Sequence, residues 1–148
     1  MSSILPPASG AARNWLVARS PGTVLQGTGG NDNLNAQDPN TTLVGGAGDD
    51  TYVIGSPLTG LIEKPGDGID TLEIWTSEAM PGYVLRADLS IENITLNGTV
   101  AAWATGNALD NRVTGNAGPN VLDGGAGADL LTGNGGRDIF VVRVGQGS

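Results

Sequence analysis

Glycine returns every ninth residue near the C-terminal end of the chain. Gly106, Gly115, Gly124 and Gly133 head the units GNALDNRVT, GNAGPNVLD, GGAGADLLT and GNGGRDIFV. The same beat runs upstream, where GTGGNDNLN starts at Gly27 and GGAGDDTYV at Gly45, with the degenerate AQDPNTTLV between them. Further back, ARSPGTVLQ holds the register by Leu25. The eighth position of these units reads Leu25, Leu34, Leu43, Tyr52, Val113, Leu122, Leu131 and Phe140; the sixth reads Asp32, Thr41, Asp50, Asn111, Asn120, Asp129 and Asp138. An apolar residue held at one period predicts a short strand with its middle side chain turned inward, followed by a six-residue turn.

Two such units close one coil, and successive coils stack at about 4.8 Å, the inter-strand spacing. Turns on one side of the solenoid therefore come from alternate units, so Asp32 should face Asp50, Asn111 should face Asp129, and Asn120 should face Asp138. Two carboxylates about 5 Å apart at an effective dielectric near 20 repel by roughly 3 kcal/mol. A divalent cation between them reverses the sign, and ligation by oxygen alone is calcium chemistry. A single Asp in such a turn could serve only to form it; an array at fixed spacing points to an ion. Glycines in the turns permit positive φ and let backbone carbonyls converge.

These units resemble the repeat-in-toxin (RTX) nonapeptide, glycine-glycine-x-glycine-x-aspartate-x-apolar-x, which GGAGADLLT and GGAGDDTYV match at every specified position. The resemblance implies an all-β fold, a parallel β-roll or β-solenoid that binds Ca2+ in its turns, within a protein secreted by a Gram-negative bacterium. The candidate calcium ligands are the sixth-position side chains of Asp32, Asp50, Asn111, Asn120, Asp129 and Asp138. With them go the first- and third-position residues Gly27, Gly29, Gly45, Ala47, Gly124, Ala126, Gly133 and Gly135. Only the pair Asp32 and Asp50 carries two carboxylates, so it is expected to be the tightest site, with the Asn–Asp pairs weaker. Asp49, Asp110 and Asp123 lie off the sixth position and are expected to be solvated or turn-forming.

Composition narrows the function classes. Net charge is -8, from 15 acids against seven bases, which disfavours a nucleic-acid partner because phosphate binding needs a cationic surface. Without histidine or cysteine, the usual parts of zinc sites, disulfides and His- or Cys-based catalysis are missing. No apolar run approaches membrane-spanning length. MSSILPPASGAARNW lacks the charged-then-apolar order of a signal peptide. Four scattered Glu residues give no specific support to a glycosidase or lyase. Composition leaves a non-catalytic calcium-binding module, and the resemblance to the repeat-in-toxin family implies that it folds outside the cell and is appended to a polysaccharide-active enzyme.

Organisation reads as one continuous module: a cap or linker over 1–17, a first repeat block over 18–53, an irregular solenoid spacer over 54–105, and a second repeat block over 106–148. In the spacer, GIDTL and IENITL are similar to a spacer common within repeat-in-toxin arrays, which implies longer coils of the same solenoid. The ending RDIFVVRVGQGS parallels DDTYVIGSPLTGLIEKPGDGID but stops where the next strand should begin, as in a module cut from a longer chain. Trp75 and Trp103 should face outward, beside Leu72 and Ile74 and between Ala102 and Ala104, and could stack on sugar rings. A carbohydrate-binding module with structural calcium is thus the alternative function. Trp15 is expected to be packed rather than exposed.

Overall fold

A computed structural model describes residues 14–66 and 68–143. The residues 1–13 of the expected cap, and the GQGS ending, lie outside the described residues. Each unit spends its last residues as a strand, and the strands alternate between two walls. One wall is a seven-stranded parallel sheet of β1 (Asn14–Ala18), β3 (Asp32–Ala36), β5 (Thr51–Ile54), β7 (Thr71–Trp75), β9 (Asn93–Asn97), β11 (Arg112–Thr114) and β13 (Leu130–Thr132). The other is divided into a three-stranded sheet of β2 (Val24–Gln26), β4 (Thr42–Val44) and β6 (Gly60–Ile62), and a four-stranded sheet. The latter holds β8 (Gly82–Val84), β10 (Ala102–Thr105), β12 (Asn120–Asp123) and β14 (Ile139–Val141). Among the described residues there is no helix long and apolar enough to cross a membrane. The chain is an all-β, parallel β-solenoid of the β-roll kind.

The eighth-position side chains fill the space between the walls. Leu34, Leu43, Tyr52, Val113 and Leu122 are fully buried, joined by Leu61, Leu72 and Ile94 from the less regular coils. Burying one such side chain contributes roughly 1.5–3 kcal/mol, so the apolar row is what holds the coils in register. Leu25 and Leu131 are only partly buried, and Phe140, on the outermost strand described, is 47 % exposed. A side chain in this row is covered by the coils on both sides of it, and β14 pairs on one side only.

Within the repeat blocks each strand pairs with the strand two units further on: Leu34 lies opposite Tyr52, and Val113 opposite Leu131. Through the middle the step lengthens, with Tyr52 opposite Leu72, Leu72 opposite Ile94 and Ile94 opposite Val113. The additional residues bring Met80, Leu85, Leu89 and Ile91 into the core. The second wall breaks between β6 and β8, where Arg86 Nη2 donates to the Leu61 carbonyl at 3.0 Å. The middle is therefore solenoid with irregular coils.

Candidate metal centre

Two turn geometries occur in the repeat blocks, and each turn of the first kind stacks on one of the second kind in the adjacent coil. In the first kind, the sixth side chain folds back on its own turn. Asp32 Oδ2 accepts from Thr28 N at 2.6 Å and Thr28 Oγ1 at 2.9 Å, and Asn111 Oδ1 accepts from Asn107 N at 2.8 Å. Asn120 Nδ2 instead donates to Asn116 Oδ1 at 2.8 Å. In the second kind, the backbone enters the left-handed region at the second and fourth positions, as at Gly46 (φ 108) and Gly48 (φ 111). Only glycine adopts these angles freely, which is why GGAGDD and GGAGAD read as they do; Asn134 (φ 66) takes the second position of the last turn. The freed sixth carboxylate reaches across to the preceding coil. Asp50 Oδ1 accepts the Asp32 amide at 2.8 Å, Asp129 Oδ1 the Asn111 amide at 2.8 Å, and Asp138 Oδ1 the Asn120 amide at 2.9 Å.

The structure thus brings together Asp32 with Asp50, Asn111 with Asp129, and Asn120 with Asp138. What joins each pair directly is a backbone N–H of one residue and a carboxylate of the other. The first-position glycines lie tight for a second reason. A Cβ on Gly27 would strike the Gly45 carbonyl oxygen and Asp32 Oδ2, one on Gly106 the Gly124 oxygen and Asn111 Oδ1, and one on Gly115 the Gly133 oxygen and Asn120 Oδ1. Gly45, Gly124 and Gly133 stand against the Oδ2 atoms of Asp50, Asp129 and Asp138 in the same way. In each pair, oxygens converge on oxygens. Asn120 Oδ1 is buried without a hydrogen-bond donor, and an acceptor aimed at other acceptors fits a hard cation with oxygen ligands. The residues present therefore fit Ca2+. The third-position residues Gly29, Ala47 and Gly135 are exposed at the turn rim, and Ala126 is half-buried there.

Counting by nine misses three acids. Asp70 Oδ1 accepts the Asp50 amide at 2.8 Å, and Glu92 Oε2 accepts the Asp70 amide at 2.8 Å. Asp32, Asp50, Asp70 and Glu92 thus form one ladder along the edge of the seven-stranded wall. Asn14 extends it at one end, where its Nδ2 donates to Asp32 Oδ1 at 2.6 Å. Glu63 stands two units after Gly45, in the place of a first-position glycine, and its carboxylate accepts from the Tyr52 hydroxyl. One oxygen from each of Asp50, Glu63 and Asp70 lies within 4.8 Å of the others, and all three residues are buried. Burial, followed by the charges of Asp50, Glu92 and Asp49, pushes the Asp70 carboxyl up to about 6 even though the Asp50 amide favours its ionised form. The signal in the sequence was the spacing Gly27, Gly45, Glu63; a two-residue insertion then moves the aspartate of EKPGDGID from sixth to eighth place.

The remaining acids divide. Asp49 and Asp110 are exposed, yet each accepts an amide from the next coil, Ile69 N at 2.9 Å and Ala128 N at 2.8 Å. Asp123 is buried rather than solvated: Oδ1 takes the Gly125 amide at 3.0 Å in a tight turn and Oδ2 pairs with Arg143 at 2.5 Å. Trp75 is 56 % and Trp103 38 % exposed, on β7 and β10 respectively, so they lie on different walls with the core between them. The Trp103 indole lies over Gly82 of the neighbouring strand. Trp15 is 65 % exposed, contrary to the expectation that it is packed: β1 is an edge strand of the wall, and period-two alternation turns inward its neighbour Leu16 instead.

The family described as RTX calcium-binding nonapeptide repeat matches residues 23–52 and 105–140, in 4 copies. No curated protein and no solved structure matches the chain. All three turn pairs fall inside the matched residues, whereas Glu63, Asp70 and Glu92 fall between the two blocks.

Proposed function

We propose that this calcium-binding β-roll module, which carries RTX nonapeptide repeats, is a non-catalytic unit that orders itself on binding calcium outside the cell. The observation that carries the reading is the convergence of oxygens in the three turn pairs, with Asn120 Oδ1 left buried and without a donor. Asp32, Asp50, Asp70 and Glu92 stack along one edge, so the chain's own charges oppose folding where calcium is scarce. Where calcium is plentiful, ligation by these residues adds binding free energy to folding free energy. Such a chain stays unfolded in the cytosol of a Gram-negative bacterium and folds after secretion, and on this reading it is appended to a polysaccharide-active enzyme. Circular dichroism in chelator and then in calcium tests it: a coil-to-β change is expected, and equal order in both conditions would defeat the folding role.

A second reading, a carbohydrate-binding module with structural calcium, is favoured by the exposure of Trp75 and Trp103. Their placement on opposite walls makes each a separate one-ring platform for a sugar face. Trp75→Ala and Trp103→Ala, assayed singly on insoluble polysaccharides, should each lower retention about tenfold if both rings bind. Retention unchanged by either substitution, or none in the unmodified chain, removes this reading.

A further inference from the structure

We propose that Asp50, Glu63 and Asp70 form a calcium site of three side-chain carboxylates, which joins the last nonapeptide turn of the first block to the turn that leads from β6 to β7. It lies outside the matched repeats in two of its three residues. Its donor set also differs from theirs, since the turn pairs combine one or two sixth-position side chains with backbone carbonyls. The proposal shares the ion and the residues Asp50 and Asp70 with the preceding section and adds Glu63 and the closed three-carboxylate geometry.

Geometry permits a single ion. Carboxylate oxygens bind Ca2+ at about 2.3–2.6 Å, so two ligands of one ion stand no more than about 5 Å apart; the three oxygens here lie within 4.8 Å of one another. Asp50 and Asp70 are each 1 % exposed and Glu63 4 %. Asp70 Oδ2 is buried with no hydrogen-bond donor, while Oδ1 is held by the Asp50 amide. A buried carboxylate with an oxygen that lacks a donor, gathered with two further buried carboxylates, is costly unless a cation joins them.

The surroundings keep the place open and fix the ligands. Gly45 faces the Tyr52 hydroxyl, Asp50 Oδ2 and Glu63 Oε2, so any side chain there would stand among the ligands. Tyr52, fully buried in the core row, donates to Glu63 Oε2, and Lys64 N donates to Glu63 Oε1 at 2.9 Å. Glu63 is thereby aimed inward, although in the repeats its position belongs to a glycine.

The test uses the full chain, calcium and terbium. Calcium bound per chain is counted by equilibrium dialysis for the wild type, Glu63→Gln and Asp70→Asn; the Asn retains the acceptor for the Asp50 amide. Each substitution should remove one ion per chain or weaken it about tenfold or more. Terbium emission sensitised by the aromatic side chains should fall in Tyr52→Phe with the ion count retained, because the Tyr52 ring sits against a ligand; this arm stands even if a carboxylate variant fails to fold. An unchanged ion count and affinity in Glu63→Gln and Asp70→Asn, or terbium emission unaltered in Tyr52→Phe, would overturn the proposal. Asp32→Asn and Asp129→Asn separate it from the repeats. Ions lost there but not at Glu63 or Asp70 sink the triad alone, and the converse pattern sinks the repeat reading and leaves the triad standing.

Discussion

The Asp50 amide donates to Oδ1 of Asp70 at 2.8 Å, the same bond that joins Asp32 to Asp50, although the coil between Asp50 and Asp70 is two residues longer. Stacking preserves the contact while the sequence count shifts. The two additional residues lie in the turn between β6 and β7, outside the paired strands.

First-position and third-position glycines should respond differently to a methyl group. A Cβ on Gly27 would strike the Gly45 carbonyl and Asp32 Oδ2, whereas one on Gly29 would meet nothing within 4 Å. In saturating calcium, Gly27→Ala should cost about 2 kcal/mol or more through overpacking between coils. Gly29→Ala should stay within about 1 kcal/mol of wild type in either direction. Urea unfolding of both variants checks this, and equal losses would contradict the close approach of the two coils.

Asp50 should matter more to calcium-induced folding than Asn111. Asp50 holds the Asp32 amide and belongs to the triad, so Asp50→Ala touches two groups of oxygens. Asn111→Ala removes the acceptor for Asn107 N and the donor to the Ile91 carbonyl, a loss of about 1–3 kcal/mol, but withdraws no charge. The calcium midpoint of the β-signal should therefore shift further for Asp50→Ala. A larger shift for Asn111→Ala would show that neutral turn hydrogen bonds, and not charge, govern the transition.

Acid should partly replace calcium. The Asp70 carboxyl is raised to about 6 by burial and neighbouring charges, above its ordinary 3.8. A raised folded-state value means that the folded chain holds the proton more tightly. The resulting stabilisation is complete below the unfolded value and is lost as pH rises through about 6. In chelator, the ordered fraction should rise as pH falls from neutral to about 4.5, by an amount on the order of 1–3 kcal/mol at Asp70. Asp123, held below the usual carboxylate range by Arg143, acts in the opposite sense in stronger acid. Circular dichroism against pH for wild type and Asp70→Asn measures the effect, and identical profiles would remove Asp70 as its source.

Much of the fold was legible because the code is local and repeats. An apolar eighth residue in every unit specifies which side chain turns inward, and Leu34, Leu43, Tyr52, Val113 and Leu122 lie in the core accordingly. Doubling the period gives the full coil, and with it the neighbours Asp32 and Asp50, Asn111 and Asp129, Asn120 and Asp138. Outward placement of Trp75 and Trp103 follows from alternation along a strand. Trp15 was misread because its exposure depends on what covers a wall, which periodicity does not encode.

Spacing alone did not reach the centre of the molecule. The longer middle coils keep the parallel strand register, Tyr52 opposite Leu72, Leu72 opposite Ile94 and Ile94 opposite Val113, although the separations along the chain are no longer constant. The repeat fixed the beat, the inward row and the paired turns, since each depends on neighbours at a constant separation. Tertiary packing alone decided that Glu63, standing where a glycine is expected, meets Asp50 and Asp70 inside the turn. The count along the chain places Glu63 in the row of first positions, but the meeting of its carboxylate with Asp70 depends on how the two additional residues are folded back by the stack.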